Sequence, residues 1–205
     1  MIKPIGSDEL QPRFVYDPER HHQLTQEAES LPSVMVSSQA AANAVMMGAG
    51  YFSPLEGFMN VADAVSVAET MRMTDGRFFP VPVLCLLESD DAIRGSRRIA
   101  LRDPNVEGNP ILAVMDVEAI EEVSDEQMAL MTEKAYRTND SEHPGVKTFN
   151  SQGRIALSGP IQVLNFSYFQ NDFPDTFRTA VEIRHEIQER GWNKVVAFQT
   201  RNPMH

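Results

Sequence analysis

Apolar positions recur at helical spacing in several short stretches, give way to short apolar runs over about residues 78–117, and end in an amphipathic helix followed by one apolar run. Pro4, Pro12, Pro18 and Pro32 interrupt the opening segment, leaving room for a helix over about residues 17–29. His21 and His22 fall inside that helix; neighbours on a helix point about 100° apart, so they make a poor shared metal site and read as solvated. Val34-Met35-Val36 reads as a short strand. Ser37 then caps an Ala-rich helix that runs to Met47, with Gly48 and Gly50 as stop signals. Asn60 caps a second helix whose core face is Val61, Ala64, Val65, Ala68 and Met71.

From residue 78 to about 117 the helical period disappears, and short apolar runs alternate with Pro, Gly and Asp. Two strands, 99–101 and 111–115, flank a turn-forming loop. Arg94, Arg97, Arg98 and Arg102 lie before and within this pair. They read as alternation on a solvated strand face, with a phosphate contact as the alternative. The acidic residues Asp116, Glu118, Glu121, Glu122, Asp125 and Glu126 read as a solvated face, because no His joins them. Ser124 and Gln127 form a capping-box signature for a helix ending near Thr138, with Met128, Met131 and Ala135 inward. Two strands over 153–157 and 161–166, separated by Gly159-Pro160, complete a β-rich domain. A linker at 171–175 leads to a helix over about 176–190 with Phe177, Ala180, Val181, Ile183 and Ile187 on one face, and Gly191 ends it. The apolar run 194–198 then reads as a buried strand. Helix, glycine, strand and polar loop in succession is how a parallel α/β domain begins, which places a boundary near residue 168. Neither an internal repeat nor a low-complexity tract is evident.

Composition narrows the function classes. Hydrophobic residues make up 42% and charged residues 23%, as in ordinary globular proteins. The lone Cys85 sits in an apolar run and reads as a buried thiol. No apolar run reaches the ~18 residues needed to span a bilayer, and the amino terminus lacks the pattern of an export signal, so a cytoplasmic protein is expected. The net charge of -11 argues against nonspecific binding to nucleic acid or anionic membrane.

The chemistry-bearing stretch is Gln199-Thr200-Arg201-Asn202-Pro203-Met204-His205, at the carboxyl end of the apolar run 194–198. In open α/β sheets, ligands bind at that edge of the strands. An amide, a hydroxyl, a guanidinium, a second amide and an imidazole in one loop suit a tetrahedral oxyanion such as sulfate or phosphate; a polar loop without a role is the alternative. Val195-Val196-Ala197-Phe198-Gln199-Thr200-Arg201-Asn202-Pro203-Met204-His205 resembles the active-site signature of the ATP sulfurylases, which in that family continues to a second His. Two further strings resemble the same family: Phe52-Ser53-Pro54-Leu55-x-Gly57-Phe58-Met59, and Thr138-x-Asp140-x-x-His143-Pro144-Gly145-Val146.

The resemblance implies an α+β fold in two parts. Residues 1–168 would be a PUA-like amino-terminal β-barrel domain with helices, and residues 169–205 the first helix and strand of an α/β Rossmann-like nucleotidyltransferase domain. It implies formation of adenosine 5′-phosphosulfate and pyrophosphate from MgATP and sulfate, reversibly, by in-line attack of sulfate on the α-phosphorus. Carried over by position, Gln199 and Arg201 hold sulfate, while Gln199, Thr200, Asn202 and His205 face ATP. Thr200, Arg201, Asn202 and His205 are the catalytic set. Mg²⁺ enters on ATP, with no tightly bound protein metal, and a homo-oligomer is implied. His143 is given no catalytic role; its loop is expected to shape the cleft. The 205-residue chain by itself is expected to be inactive. Two other readings stay open: a noncatalytic PUA-like module of the kind that binds RNA elsewhere, and a nucleotidyltransferase of the same fold with another acceptor.

Overall fold

The computed structural model describes residues 3, 4 and 6–200. Its organising element is β7 (Ile155–Val163), one continuous strand where two were expected. Gly159, at φ 141°, lets the strand bend without breaking. The half before the bend pairs antiparallel with β3 (Cys85–Leu87) and β6 (Ala119–Glu122), and the half after it pairs with β2 (Gly57–Phe58) and β5 (Ile111–Asp116). β4 (Arg98–Arg102) continues the sheet antiparallel to β5, and β1 (Ser33–Met35) joins β4 in parallel. The result is a seven-stranded mixed sheet in the order β1-β4-β5-β7-β2, with β3 and β6 flanking the first half of β7 on its opposite edges. The mixed sheet with its surrounding helices fits the β-barrel domain with helices expected of the first part of the chain.

Local sequence explains the helices around it. Asp17 caps α1 (Pro18–Ser30) by accepting from Arg20 N, and Pro18 occupies the first turn, where no N–H is needed. Ser37 caps α2 (Ser38–Gly48), Asn60 caps α3 (Val61–Thr70), and Ser124 with Gln127 closes a capping box on α4 (Asp125–Tyr136). α2, α3 and α4 contribute Ala41, Ala44, Val45, Ala64, Val67, Met128 and Met131 to the main core, together with Leu101, Leu112, Met115 and Leu157 from the sheet. A smaller core under α1 holds Leu24, Ala28, Ala100, Ile111, Val114 and Leu164.

Several expectations need correction. Met71 is not on the core face of α3: it takes the left-handed conformation at the helix end, and its side chain is exposed. Ala135 is exposed on α4. The acidic stretch is more than a solvated face, since 119–122 form β6, and Glu121 accepts from Val61 N at 3.1 Å at the start of α3. His21 is half-buried, its Nε2 2.7 Å from Leu164 O and its ring beside Phe14, so only His22 has the solvated position expected of both. Three of the four clustered arginines are ion-paired: Arg94 with Asp90 and Asp91, Arg98 with Glu27 and Asp116, Arg102 with Glu29.

After β7 the chain makes the short helix α6 (Phe169–Asp172), and Phe169 and Phe177 pack against the main core. The last helix, α7, runs Ala180–Glu189, starting later than expected because Thr179 caps it. The run 194–198 forms no strand. Val195, Val196 and Phe198 are exposed, Val196 to 92%. A strand needs a neighbour to satisfy its backbone, and among the described residues none lies beside this run.

Candidate functional site

Of the residues expected to hold substrate, the structure describes Gln199 and Thr200, both exposed in an extended, irregular segment. Arg201, Asn202 and His205 lie outside the described residues, as does Pro203. The five residues are therefore not seen converging on one point. What the structure does define is the support upstream of them: α7, its cap, and its attachment to the sheet domain.

That attachment is built from short-range chemistry. The Glu182 carboxylate accepts from Thr179 N at 2.7 Å and from Thr179 Oγ1 at 2.8 Å, and Glu182 N donates back to Thr179 Oγ1 at 3.3 Å. These backbone and hydroxyl donors hold the Glu182 carboxyl below its ordinary value. Ala180 N donates to Ala49 O at 2.9 Å, just past the end of α2. The Tyr51 hydroxyl donates to Arg178 O at 2.8 Å. Burial pushes the Tyr16 phenol up, as it does that of Tyr51, and the Glu182 charge adds to the rise in both. Thr179 is 4% exposed and Ala180 9%, whereas the remainder of α7 is half-buried or exposed. Sequence reasoning passed over this cluster, although Thr179-x-x-Glu182 is a capping-box signature.

At its other end α7 is closed by Gly191 N donating to Gln188 O and Trp192 N to Ile187 O. The Arg190 guanidinium, ion-paired with Glu186, lies 4.9 Å from the centre of the Trp192 ring. From there the chain runs seven residues to Gln199. Among the described residues no group of three or more His, Cys, Asp or Glu side chains comes together to hold a metal ion.

The two upstream motif strings turn out to be architectural. In the first, Leu55, Phe58 and Met59 are buried, Phe52 packs edge-on against Phe79, and Ser53 Oγ accepts from Gln11 N while donating to Gly50 O. Its Gly57 crosses β7 so closely that a Cβ would sit 1.8 Å from Gly159 O. In the second, Thr138 Oγ1 accepts from Asp140 N, Asp140 Oδ1 accepts from Glu142 N, and His143 Nδ1 accepts from Val146 N to cap α5 (Pro144–Asn150), a helix not expected from sequence. A Cβ on Gly145 would meet the Tyr136 ring at 2.6 Å. The sequence pattern is thus that of a helix cap packed on α4.

Comparison with known proteins gives the class first. Residues 2–166 match the PUA-like domain family, and the chain belongs to it. Residues 174–205 match the ATP-sulfurylase family. More particularly, the chain is 81% identical over 205 residues to a sulfate adenylyltransferase of Allochromatium vinosum, covering 100% of this chain and 52% of that protein. It is 75% identical to one from the Riftia pachyptila sulfur-oxidizing endosymbiont, with 100% and 46% covered, and 35% identical to one from Thiobacillus denitrificans, with 100% and 49% covered. The resemblance to the ATP sulfurylases carried by the motif strings is borne out, and the chain spans about half the length of these relatives. A solved hexameric APS kinase from Thiobacillus denitrificans shares the fold with TM-score 0.73 and 27% identity, over 100% of this chain and 35% of that one. No described helix is long and apolar enough to cross a membrane.

Proposed function

We propose that this chain is part of a sulfate adenylyltransferase, forming adenosine 5′-phosphosulfate and pyrophosphate from MgATP and sulfate. The observation that carries the reading is the loop 199–205, in a segment that matches the ATP-sulfurylase family within a chain 81% identical to a protein of that activity. Residues 169–205 then open the Rossmann-like catalytic domain, and residues 1–168 are its PUA-like companion. Residues 194–198 become a buried strand once neighbouring strands pair with them. A homo-oligomer is part of the proposal, in keeping with the hexameric structural relative.

The physical problem is a feeble nucleophile approaching a polyanion against a chain charge of -11. Catalysis therefore rests on positioning and on local charge neutralisation. Arg201 offers a planar fork of donors to two sulfate oxygens, and Gln199 adds an amide donor. Thr200 and Asn202 face the nucleotide phosphates and steer the α-phosphoryl group into line. His205 stabilises the charge that builds as pyrophosphate leaves. Pro203 suits the first turn of a following helix, whose free N–H groups add to the anion site. Mg²⁺ is a component of the substrate, screening the phosphate charge.

Arg201→Ala, made in the protein that carries this chain, is expected to lower sulfate-dependent ATP–pyrophosphate exchange by about a hundredfold or more, as loss of one aimed charged donor does. Unchanged exchange would remove the central assignment. Exchange that proceeds without sulfate but with another acceptor would redirect the reading to a different nucleotidyltransferase.

A further inference from the structure

We infer that residues 49–51 and 178–182 form a clasp whose purpose is to position the catalytic loop, with Thr179 and Tyr51 as positioning residues remote from the reacting atoms. The inference rests on the proposed adenylyltransferase reading and adds to it a role for the PUA-like domain.

The clasp is more than a helix cap. A capping box needs only Thr179 and Glu182, and both are present. Here the same few residues are also bonded outward to the sheet domain on two sides. Ala180 N reaches Ala49 O at 2.9 Å, and Tyr51 Oη reaches Arg178 O at 2.8 Å across 127 residues of sequence. Ala180 is small enough to seat directly over Gly50, where a Cβ would lie 3.7 Å from its own. Tyr51 is 43% exposed, so its hydroxyl has water available and is not forced into this bond by burial.

Anchoring is concentrated at this one end. Only Ala180 of α7 is fully buried. A helix held at its first turn and otherwise lightly packed takes its direction from that turn. In an α/β unit the helix packs on the strand that follows, so the direction of α7 sets where residues 194–198, and with them Gln199 and Arg201, are delivered. Misplacement of reacting groups by about 1 Å costs on the order of a hundredfold in rate. The clasp thereby couples the PUA-like domain to the chemistry without touching substrate.

The test uses Thr179→Ala, Thr179→Ser and Tyr51→Phe in the protein that carries this chain. Turnover is expressed per active site by titration, so that loss of folded protein does not masquerade as slower chemistry. Thr179→Ala is expected to lower kcat roughly tenfold with the KM for MgATP within about twofold, Thr179→Ser to restore it, and Tyr51→Phe to lower kcat roughly threefold. Amide exchange is followed in parallel. Exchange in α7 should accelerate roughly tenfold in Thr179→Ala while β4 and β5 keep their protection. Full turnover per active site in both Thr179→Ala and Tyr51→Phe, or unaltered exchange in α7, would overturn the clasp. Absence of sulfate-dependent exchange in the unmodified protein would instead overturn the adenylyltransferase reading, and the amide-exchange arm still decides the clasp by itself.

Discussion

Gly57 shows how a single residue can carry a family motif for reasons of space rather than chemistry. Its backbone crosses β7 where a methyl group would lie 1.8 Å from Gly159 O and 2.8 Å from Pro160 Cα, both atoms of backbone that cannot rotate away. Accommodating an Ala means separating β2 from β7 in the middle of the main core. Gly57→Ala is therefore expected to cost at least about 3 kcal/mol, the upper end of ordinary overpacking, because the obstacle is main chain. Urea unfolding of the chain measures it, and a midpoint within error of the unmodified chain would refute the packing account. Cys85 illustrates the opposite case. Fully buried in β3, its thiol is pushed up to about 12 by desolvation, so it stays protonated and unreactive, as a structural side chain should.

At the level of elements, helices α1 to α4 and strands β1, β4 and β5 were legible, whereas α5 and the β7 partners β2, β3 and β6 were not. Asp17, Ser37, Asn60 and Ser124 announce α1, α2, α3 and α4 because an N-cap is a local arrangement, complete within four residues. β6 was hidden because Glu121 and Glu122 look like a solvated run, and their strand conformation depends on β7 residues some 35 positions later. The expectation for 194–198 fails for the same reason in reverse: a largely apolar run says strand, but pairing must come from a neighbour, and among the described residues none pairs with it. The loop 199–205 was legible as a motif, and its geometry was not, since convergence of side chains depends on the surrounding sheet. α7 offers a test at this scale. Its capping carboxylate, Glu182, is held below the ordinary glutamate value near 4.3, chiefly by the Thr179 N–H. A depressed folded value means stabilisation fully present above about 4.3 and lost as pH falls through the lower folded value. Amide exchange in α7, corrected for intrinsic rates, is expected to be independent of pH from about 5 to 7 and to lose protection below about 4, whereas Glu182→Gln should remove that acid step. An acid step that survives in Glu182→Gln would assign it to another group.

The whole molecule decides between the catalytic reading and that of a PUA-like binding module. A fold used elsewhere to hold RNA needs a field that attracts phosphate, and nonspecific nucleic-acid affinity is almost entirely this term. The chain instead carries 29 acidic against 18 basic residues, and three of the four clustered arginines are ion-paired within the fold. Arg98 is shared by Glu27 and Asp116, tying α1 to the β4–β5 pair; Arg102 meets Glu29 on the same helix; Arg94 is held between Asp90 and Asp91. Each pairing offsets a charge that a phosphate would otherwise find, which leaves Arg97 as the member of the cluster without an ion pair among the described residues. Beyond about 8 Å at physiological ionic strength an approaching polyanion feels little of any one pair, and closer in it meets the uncompensated acids. In the proposed function, capture of a small anion such as sulfate falls to the loop 199–205, whose short reach does not depend on this long-range field. The chain is accordingly expected to retain no single-stranded RNA in filter binding at about 50 mM salt, where a protein making several phosphate contacts binds far more tightly than at 200 mM. Retention that falls steeply with added salt would establish a phosphate-binding surface and favour the noncatalytic module. Loss of that retention in Arg98→Gln would locate it on β4.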